Sequence, residues 1–227
     1  MRGRQLFPKG GSAGNGLWAL TFLVAVGALL VGIWWLLGFL VENNAGSFFD
    51  GFDRGPVEFF VDRRSDRLTT FMRGVTFLGG TVATTLLLSG AALVSYAGTK
   101  NHRWPGFFVG VLVGAWQLAR VIKPLVGRAR PDFQPVYEVA SDAFPSGHAA
   151  ASAACFGALA YWAVLNLRRP WSVVAWAGAA LIVALVGVTR VYLGVHWPTD
   201  VIAGWVLGAA WVLAVRRVTR PFSSEGE

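Results

Sequence analysis

Three stretches of this 227-residue chain hold reactive and cationic side chains at close intervals. The first is KPLVGRARP, residues 123–131, with the cations Lys123, Arg128 and Arg130. The second is PSGH, residues 145–148, and the third is TRVYLGVHWPTD, residues 189–200, with Arg190, His196 and Asp200. Several fixed cations at one place repel one another unless an anion sits among them. Arginine's planar fork matches the oxygens of a phosphate, and lysine adds a point charge. In PSGH a small hydroxyl, a glycine and a histidine open an apolar helix. Free N–H groups there, with the positive end of the helix dipole, attract an anion. Pro198 suits a helix first turn, so His196 stands at a second helix start.

The histidines supply reactivity. Imidazole is a nucleophile toward phosphorus and titrates near neutrality. Asp200 follows His196 by four residues, close enough across a helical turn to accept from one ring nitrogen. That bond sets the tautomer and leaves the other nitrogen free to attack. His148 can protonate the leaving oxygen. With three histidines in the chain and few carboxylates near these stretches, no metal cage is expected, and no cofactor.

Membrane helices are expected to hold these groups in place. The chain is 55% apolar and only 14% charged, too little charge to cover a soluble surface. Six segments approach the roughly 20 apolar residues that cross a hydrocarbon core. They are residues 17–41, 74–97, 107–122, 148–167, 171–188 and 201–215, the last lengthened by residues 198–200 as a first turn. No period-2 alternation suggests a barrel. The expected fold is all-α: a polytopic membrane protein of six transmembrane helices, with an interfacial helix after the first span. That helix is read from residues 42–73, where Phe59, Phe60, Val61, Leu68, Phe71 and Met72 alternate with charges at loosely helical spacing. Pro56 is placed in its first turn, and the alternative role is a lid over a site. The first apolar run is too long for a signal h-region and reads as an uncleaved anchor.

Charge sets the topology. With an inner N-terminus, the inner segments carry Arg2, Arg4, Lys9, Lys100, Arg103, Arg168, Arg169, Arg216, Arg217 and Arg220, with Glu225 and Glu227 as their acids. The remaining bases and acids balance on the outer side. This asymmetry follows the positive-inside rule and places both termini in the cytoplasm and the three stretches outside the plasma membrane. His102 then faces the side away from them. The domain organisation is a tail of residues 1–16, a membrane domain of residues 17–215 whose chemistry lies in residues 123–200, and a tail of residues 216–227. A net charge of +8 could suggest nucleic acid, but the basic residues do not cluster on a polar domain, so nucleic acid is not an expected partner.

The three stretches resemble the signature of the type 2 phosphatidic acid phosphatase superfamily, shared with vanadium haloperoxidases and bacterial acid phosphatases. Lysine, six residues and Arg-Pro appear as Lys123 to Pro131. Pro-Ser-Gly-His appears as residues 145–148. The third motif has Thr189 where serine is usual, a position that is not a main catalytic group of the family. The resemblance implies a phosphohistidine at His196, oriented by Asp200, with His148 as general acid. Lys123, Arg130, Ser146, Gly147 and Arg190 would hold the phosphate oxygens, without a metal ion. The substrate would be a lipid phosphate or diphosphate among the membrane lipids: undecaprenyl diphosphate, ranked first, phosphatidylglycerol phosphate or phosphatidic acid.

Two other functions fit the same residues. A phosphotransferase would pass the phosphate to a sugar or lipid instead of water. A lipid-phosphate carrier would keep the cations, but would not need His196 paired with Asp200. Among the remaining side chains, Arg120 reads as a snorkelling cation. Arg128, outside the fixed motif positions, reads equally as a headgroup contact or a pocket residue. Gly187, Gly204 and Gly208 read as sites of close helix packing.

Overall fold

A computed structural model describes residues 12–43, 48–100 and 102–219. These residues form eight helices and no strand: α1 (Ser12–Asn43), α2 (Phe48–Val61), α3 (Asp66–Phe77), α4 (Thr81–Thr99), α5 (Arg103–Val126), α6 (Gly147–Asn166), α7 (Arg169–Tyr192) and α8 (Pro198–Thr219). Six of them, α1 and α4 to α8, are long and apolar enough to cross a membrane. Leu17, Val24, Leu86, Leu93, Trp171 and Leu213 each stand more than half exposed on these helices. Such outward apolar faces suit hydrocarbon, and a helix satisfies its own backbone there.

The region after α1 is two helices rather than one. Ser65 ends the link after α2 and caps α3, accepting the Leu68 N–H at 3.4 Å, with Asp66 in the first turn where the helix dipole favours an anion. Pro56 lies inside α2, not in its first turn. α2 turns Asp53 and Val57 inward, 2% and 0% exposed, and leaves Phe52 and Phe59 outside. The second span begins later than expected from residue 74. Gly79 and Gly80 close a turn on Thr76 and Phe77, and α4 starts beyond it.

α6 lies at the centre, packed against α4, α5, α7 and α8. Its buried face is Ala149, Ala150, Ala151, Ala154, Ala158 and Ala160, small enough for close backbone approach. α8 meets it with glycine. A Cβ on Gly204 would lie 2.5 Å from the Ser146 carbonyl oxygen, and one on Gly208 would lie 2.3 Å from that of Ala150. Trp34 and Trp211 donate their indole N–H groups to the Ala203 and Gly110 carbonyls, tying α1 to α8 and α8 to α5.

Alternating helix directions bring the ends of α5 and α7 and the starts of α6 and α8 to one end of the bundle, beside α2 and α3. The opposite end holds Lys100, Arg103, Arg168, Arg169, Arg216 and Arg217, and no acid among the described residues. Arg2, Arg4, Lys9, Arg220, Glu225 and Glu227, and most of both expected tails, lie outside the described residues. Within those tails, residues 12–16 and 216–219 continue α1 and α8.

Candidate active site

His196 occupies the short link between α7 and α8 and is 2% exposed. Its Nδ1 is 3.3 Å from Asp200 Oδ2. Its Nε2 is 3.3 Å from Arg130 Nη1. A guanidinium can only donate and an ionised carboxylate can only accept, so these partners assign the proton to Nδ1 and the lone pair to Nε2. Asp200, in the first turn of α8, also accepts the Trp197 N–H at 2.9 Å. Burial, followed by the charges of Arg190, Lys123 and Arg130, holds His196 well below the ordinary histidine range. The ring is therefore neutral at pH 7.

The cations come from three elements. Lys123, in the last turn of α5, donates to the carbonyls of Asp142 at 2.5 Å and Ala143 at 3.2 Å. Gly127 ends α5 at φ +68°, a left-handed conformation that costs glycine little, and turns the chain into the loop that carries Arg130. Arg130 donates to the carbonyls of Ser141 and Asp142 at 2.7 and 3.1 Å, and its Nη1 to that of Val195. It thereby joins the two loops of the site. Burial, then the neighbouring Arg190, lowers the Arg130 pKa, against the opposing pull of Asp200.

Arg190, near the end of α7, is 2% exposed. Its Nη1 donates to Thr76 Oγ1 at 2.8 Å and to the Tyr137 hydroxyl at 2.7 Å. Its Nε is buried without a hydrogen-bond partner. Thr189 hydrogen bonds to the Val186 carbonyl of its own helix, so its hydroxyl is turned back onto α7. Ser146 caps α6, and its own N–H donates to the Asp200 carbonyl oxygen at 2.9 Å, locking the start of α6 to the start of α8. Gly147 and His148 lie in the first turn of α6, where backbone N–H groups have no acceptor within the helix. His148 meets the Trp116 ring edge-on at 5.8 Å and lies within electrostatic reach of Arg190, His196, Lys123 and Arg130. Gly79 passes so close that a Cβ there would lie 3.0 Å from the His148 carbonyl oxygen. A cavity of about 430 Å³ opens beside Arg130, Tyr137, Gly194 and Val195.

All eight candidate residues thus converge at one end of the bundle. Arg128 is not a headgroup contact. It is 7% exposed and donates to Asp200 Oδ1 at 2.5 Å and to Asp53 Oδ2 at 2.6 Å. Burial opposes its charge, but Asp200 and Asp53 outweigh that and raise its pKa. The sequence reading missed Asp53, Thr76 and Tyr137. The one available signal for Asp53 was its place four residues before Val57 on the inner face of an amphipathic helix.

Fold and site together define a polytopic helical membrane protein with a cationic histidine site. Residues 104–223 match the model of the PAP2 superfamily, and the chain belongs to that superfamily. It is 35% identical over 150 residues to phosphatidylglycerophosphatase B of Bacillus subtilis, an alignment covering 64% of this chain and 72% of that protein. It is 44% identical over 70 residues to the undecaprenyl-diphosphatase of Sulfolobus acidocaldarius, covering 30% of this chain and 29% of that one. The crystal structure of a transmembrane PAP2 type phosphatidylglycerolphosphate phosphatase from Bacillus subtilis superposes with a TM-score of 0.73 at 26% identity, over 86% of this chain and 98% of that one. The protein is a multi-pass membrane phosphatase of the lipid-phosphate class, a hydrolase.

Proposed function

We propose that this chain hydrolyses a lipid phosphate on the extracytoplasmic side of the plasma membrane through a phosphohistidine at His196. The observation that carries the reading is the division of labour on the His196 ring, with Nδ1 engaged by Asp200 and the Nε2 lone pair turned toward Arg130. In the first step Nε2 attacks phosphorus, the P–N bond forms, and the bond from phosphorus to the lipid oxygen breaks. His148 gives that oxygen a proton. Lys123, Arg130, Arg190 and the N–H groups at Gly147 and His148 hold the other oxygens, and the partnerless Arg190 Nε is one donor a phosphate would satisfy. In the second step His148 takes a proton from water, the water oxygen bonds to phosphorus, and the P–N bond breaks. Phosphate leaves and His196 is restored.

Among candidate substrates, the broad likeness to phosphatidylglycerophosphatase B supports phosphatidylglycerol phosphate ahead of undecaprenyl diphosphate, whose named relative aligns over a much shorter stretch. Phosphate release by detergent-purified protein in EDTA, from both lipids and phosphatidic acid, tests this alongside His196→Ala. Release that survives EDTA and vanishes in the variant supports the mechanism and ranks the lipids. Release that EDTA abolishes, or that His196→Ala retains, rules it out. The side of the membrane is a separate question. In a Cys155→Ala background, Glu138→Cys should react with an impermeant maleimide in intact cells, and Lys100→Cys should not; the reverse would invert the topology.

A further inference from the structure

α2 reaches the centre of the site through one side chain. Asp53 Oδ1 accepts the Thr199 N–H at 2.9 Å, which holds the first turn of α8. Its Oδ2 accepts the Thr199 hydroxyl at 2.7 Å and Arg128 Nη2 at 2.6 Å. The other arm of the same guanidinium, Nη1, donates to Asp200 Oδ1 at 2.5 Å and to Thr199 Oγ1 at 2.7 Å. The side chains of Arg128, Asp53 and Asp200 are 9%, 3% and 0% exposed, so this is a buried chain of charges and not a surface pairing.

Asp200 is gripped from two sides. Arg128 holds Oδ1, while the Trp197 N–H and His196 Nδ1 share Oδ2. A turn of the carboxylate would break both sets of bonds. The charge balance is equally specific. A buried pair of Arg128 with Asp200 alone is neutral and would draw the carboxylate's charge away from the imidazole. With Asp53 added, the trio carries one net negative charge beside a ring that becomes positive as the P–N bond forms.

We propose that Asp53, acting through Arg128, is a positioning residue for the phosphatase reaction: it holds Arg128 across Asp200 and keeps that carboxylate charged and aimed at His196. Arg128 is thereby assigned to Asp200 and not to the phosphate. The inference rests on His196 being the nucleophile.

Steady-state phosphate release by Asp53→Asn, Asp53→Glu, Asp200→Asn, the double variant Asp53→Asn/Asp200→Asn and His196→Ala tests it. Asp53→Asn should lower kcat about tenfold with KM nearly unchanged, and Asp53→Glu should recover part of the loss. In the Asp200→Asn background, Asp53→Asn should cause no further loss, because the residue it acts through is already gone. A merely structural role would instead multiply the two losses, and that result, or parental kcat in Asp53→Asn, overturns the proposal. If Asp53→Asn does not stay monodisperse in detergent, Arg128→Lys is read the same way, since one ammonium cannot bridge both carboxylates as the fork does. Failure of the underlying reading looks different: His196→Ala would then retain activity.

Discussion

His196 Nδ1 and Asp200 Oδ2 stand 3.3 Å apart with both side chains almost fully buried. The carboxylate orients the ring and, in the proposed mechanism, faces the charge that would appear on it as Nε2 bonds to phosphorus. Asp200→Asn keeps the shape but presents an amide that can stabilise the wrong tautomer. The expected result is a fall in kcat of about 10²- to 10⁴-fold with KM little changed, measured by phosphate release. A loss confined to KM would assign Asp200 to binding instead.

The depressed His196 pKa has a consequence for stability. The folded chain keeps this ring neutral, whereas an unfolded histidine takes a proton below about pH 6.5. Below that pH the unfolded state binds more protons than the folded state, so stability rises with pH and is lost as pH falls. The Tm in detergent should drop between about pH 7.5 and about pH 5.5, and His196→Asn should lose at least about 2 °C less over the same range. Equal losses in the two proteins would mean that His196 is not held neutral.

Arg190 is held in place by two hydroxyls, Thr76 on α3 and Tyr137 on the loop before α6. Arg190→Lys keeps a charge but loses the planar fork, and kcat/KM should fall about 10²-fold. Tyr137→Phe removes one hydrogen bond from the guanidinium without touching the histidines. It should raise KM about threefold to tenfold and leave kcat near that of the parent. A large kcat loss in Tyr137→Phe would give the hydroxyl a direct part in the chemistry.

The approach of α8 to α6 at Gly204 tests how the site is assembled. Ala at Gly204 would press its Cβ against the Ser146 carbonyl oxygen, so the starts of the two helices must separate. Gly204→Ala should cost about 1–3 kcal/mol of stability and lower kcat with it. Gly178→Ala, where nothing lies within 4 Å of the added Cβ, should be tolerated. Thermal unfolding and phosphate release on both variants measure this contrast.

Much of the architecture is visible along the chain because membrane spans are local objects. Each of the six long helices announces itself by a continuous apolar run, and packing then adjusts its ends by a few residues. The start of α4 moved because two glycines make a turn that average hydropathy does not register. The segment between α1 and α4 was harder. Its mixed apolar and charged residues suit a helix at an interface, but periodicity does not say what the inner face touches. Arg128 shows the same difficulty: a cation at a membrane boundary serves equally well at a headgroup or in a buried pair until its partner is placed.

Six apolar spans, a cluster of motif residues at one end of them and the pairing of His196 with Asp200 are all readable along the chain. The spans depend on composition over a short window, and the pair on four residues of helical geometry. Folding brings α2 and α3 back onto the site, sets Asp53 against Arg128 across 75 residues of chain, and sets Thr76 against Arg190 across 114. Those contacts have no local period. They exist because glycine and alanine let α6 and α8 come together, and because the inner faces of α2 and α3 find partners only where the bundle has already gathered its charges.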